Sequence, residues 1–210
     1  MILIGQYDSP FVRRVAVALH VYEMGYEHRP WSVFRDQEKI VAYNPLNRVP
    51  TLVLDDGEVL IESGAILDYL DELAGERALV PARGAERRAA LKVCALATGL
   101  CDKMVSLVYE RLLHASTSAV WIARCETQVV GVLDALERDR AGRPGGFWLG
   151  DSIGHADIAV ACAVRFLRDA HPAIYGLGRW PALVEGAVEL EKLSAFSSVV
   201  QSFSAPPPAK

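Results

Sequence analysis

The hydrophobic pattern of this chain changes character at Gly75. Before it, short apolar runs of strand length alternate with helical stripes. After it, every patterned segment is helical. Such a chain folds as a mixed sheet-and-helix unit followed by an all-helical one. Met1 to Gln6 is a buried-strand candidate. Ser9-Pro10 starts a helix, with Ser at the N-cap and Pro at the first helical position. Val12, Val15, Ala16 and Leu19 give that helix a core stripe. Tyr26 to Val33 is a second strand, and Pro30 within it points to a sheet edge or an irregular start. Asp36 to Ala42 is a short helix closed before Asn44-Pro45. Thr51 to Leu54 and Glu58 to Ile61 form a hairpin around Asp55-Asp56-Gly57. Gly64 to Leu73 is a helix ended by Gly75.

The order strand, helix, strand, short helix, strand, strand, helix describes a thioredoxin-like α/β unit over residues 1–75. Residues 76–84, with Pro81, read as a linker. Helices are then expected over Ala85 to Ala115, Ser118 to Arg140, His155 to Ala170 and Ala182 to Leu193, with a loop at Ala141 to Gly146. Ile158 to Val164 is apolar on every side, so its helix should run through the centre of an all-α domain over 85–201. The tail, 202–210, carries three consecutive prolines and is expected to be disordered or loosely docked. No internal repeat is visible.

A length of 210 residues supports two small domains with real cores. A net charge of −4 with no basic stripe argues against a nucleic-acid partner. No apolar stretch reaches the ~20 residues needed to span a membrane. The N-terminus MILIGQYDSPF lacks the pattern of a signal peptide. The cysteines Cys94, Cys101, Cys125 and Cys162 form no CxxC pair, and the first two sit two helical turns apart, as core thiols would. A reduced, cytoplasmic location is the expectation. The histidines at 20, 28, 114, 155 and 171 show no metal-binding spacing, so no metal is expected.

Asn44 to Ser63, NPLNRVPTLVLDDGEVLIES, puts a Val-Pro pair before a strand, then a hairpin, then an acidic-polar pair at a helix start. Backbone amides, a carboxylate and a hydroxyl would meet at neighbouring element ends, which suits a small zwitterionic ligand. This stretch, the turn Ser9-Pro10-Phe11-Val12-Arg13 and the Gly150-Asp151 to Ala156-Asp157 motif resemble the glutathione S-transferase family. The resemblance covers essentially the whole chain and has the same α/β-then-all-α layout. It implies glutathione as co-substrate, an electrophilic small molecule as second substrate and a homodimer.

Under that resemblance Ser9 is the thiol-activating hydroxyl. It is also a good N-cap for purely energetic reasons, worth ~1 kcal/mol, and the two roles are compatible. A free thiol of pKa ~8.5 is only a few per cent ionised at pH 7, and two units of lowering need ~2.7 kcal/mol. One hydroxyl bond to an anion supplies ~1.5–3 kcal/mol, and the helix end adds to it. Ser9 would donate a hydrogen bond and make no covalent bond. Tyr7 is the second candidate, since other classes of the family use a tyrosine near the end of the first strand; its alternative is plain packing. A Cys-Pro-Phe turn, which would form mixed disulfides, and the Ser-Ser-Cys turn of maleylacetoacetate isomerase-like members are both absent.

The resemblance further implies that Pro50 is the family's cis-proline. Val49 then offers its backbone to the peptide, and Arg48 meets the glycyl carboxylate. Glu62 and Ser63 would hold the γ-glutamyl end, Ser63 with helix N–H groups on its carboxylate and Glu62 facing its ammonium. For Glu62-Ser63 an acidic first turn and an N-cap are sufficient structural reasons, and Arg48 could be a solvated arginine. Gly154 stands where the capping motif usually has Ser or Thr, and Asp157 should still bond the preceding loop. Tyr7, Phe11, Met104, Val105, Val108 and Tyr109 are the candidates for the second-substrate pocket, although such side chains at helical spacing are often core. The residues leave open a non-catalytic interaction module of the same fold. They also leave open a different glutathione chemistry: peroxidase, isomerase, dehalogenase or lyase.

Overall fold

The computed structural model describes residues 1–206. The chain begins with β1 (Ile2–Ile4), which pairs in parallel with β2 (Glu27–Arg29) and antiparallel with β3 (Thr51–Val53); β3 pairs antiparallel with β4 (Val59–Ile61). The sheet order is β2-β1-β3-β4. Each strand is 3 residues long, shorter than the apolar runs suggested. Two residues explain this for the first pair. Pro30 follows β2 with no N–H to donate, and β2 is an edge strand. Gly5 follows β1 at φ +129, a backbone that side-chain-bearing residues rarely adopt.

Strand alternation splits the core. Leu3 and Leu52 point to α1 (Pro10–Val21) and α3 (Ser63–Ala74), in the main hydrophobic core. Ile4 and Val53 point the other way, to Ile40 of α2 (Gln37–Val41). Helix α1 carries the expected cap: Ser9 Oγ accepts from the Val12 N–H at 3.4 Å, with Pro10 at the first turn. Its Val12, Val15, Ala16 and Leu19 are buried. So are Arg13 and Arg14, which the pattern did not foreshadow.

A 3-10 turn at Gly75–Arg77 leads into α4 (Gly84–Leu113) and α5 (Ala119–Ala141). They are followed by α6 (His155–Ala170), α7 (Pro172–Tyr175), α8 (Pro181–Glu191) and α9 (Ser194–Ser197). Helix α6 buries 12 of its 16 residues between α4, α8 and α1. The Asp157 carboxylate accepts from the Gly154 N–H at 2.9 Å and the Trp148 N–H at 2.7 Å, fixing the loop before α6. The glycine at 154 has a packing reason: a Cβ there would lie 3.0 Å from the Leu79 carbonyl oxygen. All four cysteines are free and buried.

Two polar joints tie the sheet domain to the helices. Arg13 donates to both Glu191 oxygens at 2.6 and 2.8 Å, and to the carbonyls of Val199 and Phe196 at 3.0 and 3.1 Å. Asp71 Oδ1 accepts from the Tyr22 hydroxyl and the Leu79 N–H, and pairs with His155 Nε2 at 2.8 Å. The stretch after α9 docks as well. Phe203 meets Phe166 edge-on at 5.7 Å, and the Ser204 N–H donates to Asp8 at 2.9 Å. Of the two expectations for the tail, disorder or loose docking, residues 202–206 fit docking; residues 207–210, included in that expectation, lie outside the described residues.

Candidate active site

A cavity of about 610 Å³ opens between the two halves of the chain. Its lining comes from Gln6 and the Asp8–Phe11 turn, the Trp31–Arg35 segment, the Leu46–Val49 turn, one face of α4, Phe166 and residues 203–206. Tyr109 of α4 meets Phe34 edge-on at 5.5 Å, so the two domains touch across it. Ser9 lies here at the N-terminus of α1. Its hydroxyl oxygen holds one long contact to the Val12 N–H, which leaves the hydroxyl proton free to donate. An anion at this point gains the open amides of the first helical turn and the positive helix end.

The Asn44 to Ser63 segment supplies the rest. Asn44 is buried and organises the turn, its Nδ2 donating to the Arg48 carbonyl at 2.8 Å and its Oδ1 accepting from the Leu46 N–H at 3.0 Å. The Val49–Pro50 bond is cis. Among the described residues the Val49 N–H and C=O make no hydrogen bond, so both are free for a peptide-like ligand. Gly5 sets how close this turn approaches α1. A Cβ at Gly5 would lie 2.5 Å from Val12 Cγ2 and 2.8 Å from Val49 Cβ. Only the missing side chain lets the end of β1, the start of α1 and the Val49 turn meet.

Arg48 reaches Glu62 at 3.4 Å and Asp102 of α4 at 3.7 Å, with about half of each side chain exposed. Glu62 sits at φ 68, a left-handed conformation unusual for a side-chain-bearing residue and worth ~1–3 kcal/mol of strain. Neither residue caps α3. Glu62 holds the cap position with no side-chain bond, and Ser63 is the first helical residue. The Ser63 hydroxyl is buried, with Arg14 Nη1 3.5 Å away.

Ser9, Arg48 and Val49 thus line one cavity, and Glu62 joins them through Arg48. Pro50 and Ser63 stand behind it, Pro50 through its bond to Val49 and Ser63 at the end of α3. Phe11, Val105, Val108 and Tyr109 also line it. Two candidates lie away from this cavity. Tyr7 turns away: its ring stacks on His28 at 3.9 Å and its hydroxyl lies 2.7 Å from that of Tyr26. Burial raises its pKa further above the ordinary phenol value, so the phenol stays protonated. Met104 is fully buried, on the inward face of α4, while Val105 and Val108 are turned far enough round the helix to reach the cavity.

Several lining residues carried no readable signal. Asp8 lines the cavity; burial pushes its carboxyl above the usual range, and the Ser204 N–H only partly offsets this. Arg35 and Lys103 bring cationic heads to the same space, and Phe166 and Phe203 bring aromatic faces. Only the aromatic and charged character of these positions could have hinted at them, and the sequence holds many such residues elsewhere.

Comparison with known proteins fits this geometry. Residues 3–78 match the glutathione S-transferase N-terminal domain and residues 119–187 the C-terminal domain. The chain is 30% identical over 168 residues to an uncharacterized GST-like protein, YibF, of Escherichia coli, covering 80% of this chain and 82% of that one. It belongs to the glutathione S-transferase family. A maleylacetoacetate isomerase of Pseudomonas aeruginosa is 27% identical over 219 residues, spanning 100% of this chain and 96% of its own. Among solved structures, a glutathione S-transferase of Methylobacterium radiotolerans in complex with glutathione sulfonate superposes with a TM-score of 0.90. It shares 27% identity and covers 97% of this chain and 95% of its own. A glutathione transferase family member of Pseudomonas fluorescens with bound glutathione gives a TM-score of 0.84 at 29% identity, with 99% of each chain covered. The glutathione S-transferase fold is therefore present from end to end of the described chain.

Proposed function

We propose that the chain is a glutathione transferase in which Ser9 donates a hydrogen bond to the glutathione thiolate. One observation carries this: the Ser9 hydroxyl and the free Val49 N–H and C=O face the same cavity, together with Arg48. The bound thiol is held at the α1 N-terminus by that hydroxyl and the helix-end amides. Val49 pairs with the cysteinyl backbone, Arg48 meets the glycyl carboxylate, and Glu62 with Ser63 takes the γ-glutamyl end at the start of α3. The thiolate then attacks an electrophilic carbon of an apolar co-substrate packed against Phe11, Val105, Val108 and Tyr109. The new bond is carbon–sulfur, and the electrons leave to a halide or to a conjugated acceptor that takes up a proton. A homodimer in the cytoplasm is the assembly and place proposed, the four free buried thiols being consistent with a reducing compartment.

The test is the thiol pKa of bound glutathione, followed by ultraviolet absorbance of the thiolate. In wild type it should lie about two units below that of free glutathione, and Ser9→Ala should return most of that difference. An unchanged value in Ser9→Ala refutes the activating role. Isomerisation is the second reading, favoured by the end-to-end match to a maleylacetoacetate isomerase. The Ser9-Pro10-Phe11 turn departs from the Ser-Ser-Cys turn of those members. Turnover of maleylacetoacetate with catalytic glutathione would decide for it.

A further inference from the structure

Arg14 is a buried cation without a counter-ion. It is 6% exposed, its Nε has no hydrogen-bond partner, and the 3.5 Å contact from Nη1 to Ser63 Oγ is its one side-chain bond among the described residues. The cleft behind it, about 210 Å³, contains two carboxylates, but both are engaged elsewhere. Asp71 pairs with His155 at 2.8 Å and Asp68 with Arg87 at 3.6 Å. Its other ionisable neighbours, Cys94, Cys101 and Cys162, are pushed up by burial, Cys162 to about 11, so they stay neutral thiols. A buried charge is normally paired, because desolvation without compensation is expensive. Burial accordingly lowers the Arg14 pKa from its ordinary value, which the group tolerates because that value is so high.

The geometry shows where compensation belongs. Arg14 can only donate, so Ser63 Oγ must accept from it with a lone pair. The Ser63 hydroxyl proton is then left to point elsewhere. Ser63 is the first residue of α3, a helix of 12 residues, and the Glu62 side chain makes no cap bond there. The first amide of this helix with a backbone acceptor is that of Ile66, so those of Ser63, Gly64 and Ala65 are open. A cation, a hydroxyl proton and three amides therefore converge on one helix end.

We propose that Arg14 is the positioning residue for the α-carboxylate of the γ-glutamyl group, acting through Ser63: it fixes the Ser63 hydroxyl as a donor toward that carboxylate and receives there the negative charge it otherwise lacks. The inference rests on the glutathione reading above and deepens it.

The test compares glutathione with 4-aminobutyryl-cysteinyl-glycine, the same tripeptide without its α-carboxylate, by calorimetric titration of wild type and Arg14→Met. Wild type should bind glutathione about 10- to 100-fold more tightly than the analogue, and Arg14→Met should shrink that ratio to a few-fold. A merely structural arginine would weaken both peptides alike, so an unchanged ratio overturns the inference. So does a wild type that binds both equally. A wild type that binds neither overturns the glutathione reading, and the inference with it. Should Arg14→Met fail to fold, the wild-type protein decides alone. Its Arg14 Nε–Hε resonance should shift with glutathione and stay in place with the analogue, and a resonance that ignores both is a refutation.

Discussion

Arg13→Met should loosen the whole molecule, because Arg13 is where the sheet domain grips the C-terminal helices. Its guanidinium is 3% exposed and makes two charge-assisted bonds to Glu191 and two bonds to carbonyls at the end of the chain. Removing one partner of a buried ion pair costs about 3–5 kcal/mol, chiefly through the charge left behind. Here Glu191 is 20% exposed and keeps Arg165 at 3.4 Å, which favours the lower end. The two abandoned carbonyls add about 0.5–1 kcal/mol each. A total of about 4 kcal/mol lowers the melting temperature by about 8 to 16 °C in a chain of this size. Urea unfolding of the single variants and of Arg13→Met/Glu191→Gln closes a double-mutant cycle. The double variant should be more stable than the sum of the singles by about 2 kcal/mol, since no charge is stranded. A single-variant loss under about 1 kcal/mol, or strict additivity, refutes the clamp.

Three other outcomes are expected. Asp71→Asn should destabilise by about 2 kcal/mol, because His155 and Tyr22 lose their shared acceptor charge. Although burial alone would raise the Asp71 pKa, the hydrogen bond and charge of His155, with Tyr22 and Leu79, hold it below the ordinary carboxylate value. The stabilisation is therefore complete above about pH 5 and fades as pH falls through the unfolded value near 4 and below; acid unfolding of Asp71→Asn should lack that step. Arg48→Met should raise the glutathione KM about tenfold with little change in melting temperature, since its ion pairs are long and half exposed; a melting shift of more than a few degrees would show a structural role instead. Ending the chain at Ser202 should widen the cavity by removing Phe203 to Pro206, lowering KM for bulky electrophiles relative to small ones, which a size series of substrates will show.

The sequence carried the architecture because periodicity reports which side of an element is apolar. His155–Ala170 was readable to the residue, since an all-apolar centre bounded by Gly154 and a His-Pro stop leaves no other helix. The Asn44 to Ser63 segment stands out for a different reason: its resemblance to a known family implies the cis-Pro50 that the structure has, which periodicity does not report. Periodicity does not tell which part of α4 faces the cavity, and so it groups Met104 with Val105 and Val108. Nor could it place Arg13 and Arg14 indoors. Two adjacent arginines on an amphipathic helix look like its solvated side, and their partners, Glu191 and Ser63, lie 178 and 49 residues away. For the proline-rich end, composition leaves disorder and loose docking both open, because the docking depends on two contacts, Phe203 on Phe166 and Ser204 on Asp8, that it does not reveal.

That docking makes the last stretch of the chain a replaceable wall. Residues in α4 or α6 that touch the cavity also hold the core, so altering them puts stability at risk. Phe203 to Pro206 belong to no helix, so exchanging them puts at stake chiefly the contacts of Phe203 with Phe166 and of Ser204 with Asp8. Changes within Phe203 to Pro206 would then reset the range of accepted electrophiles.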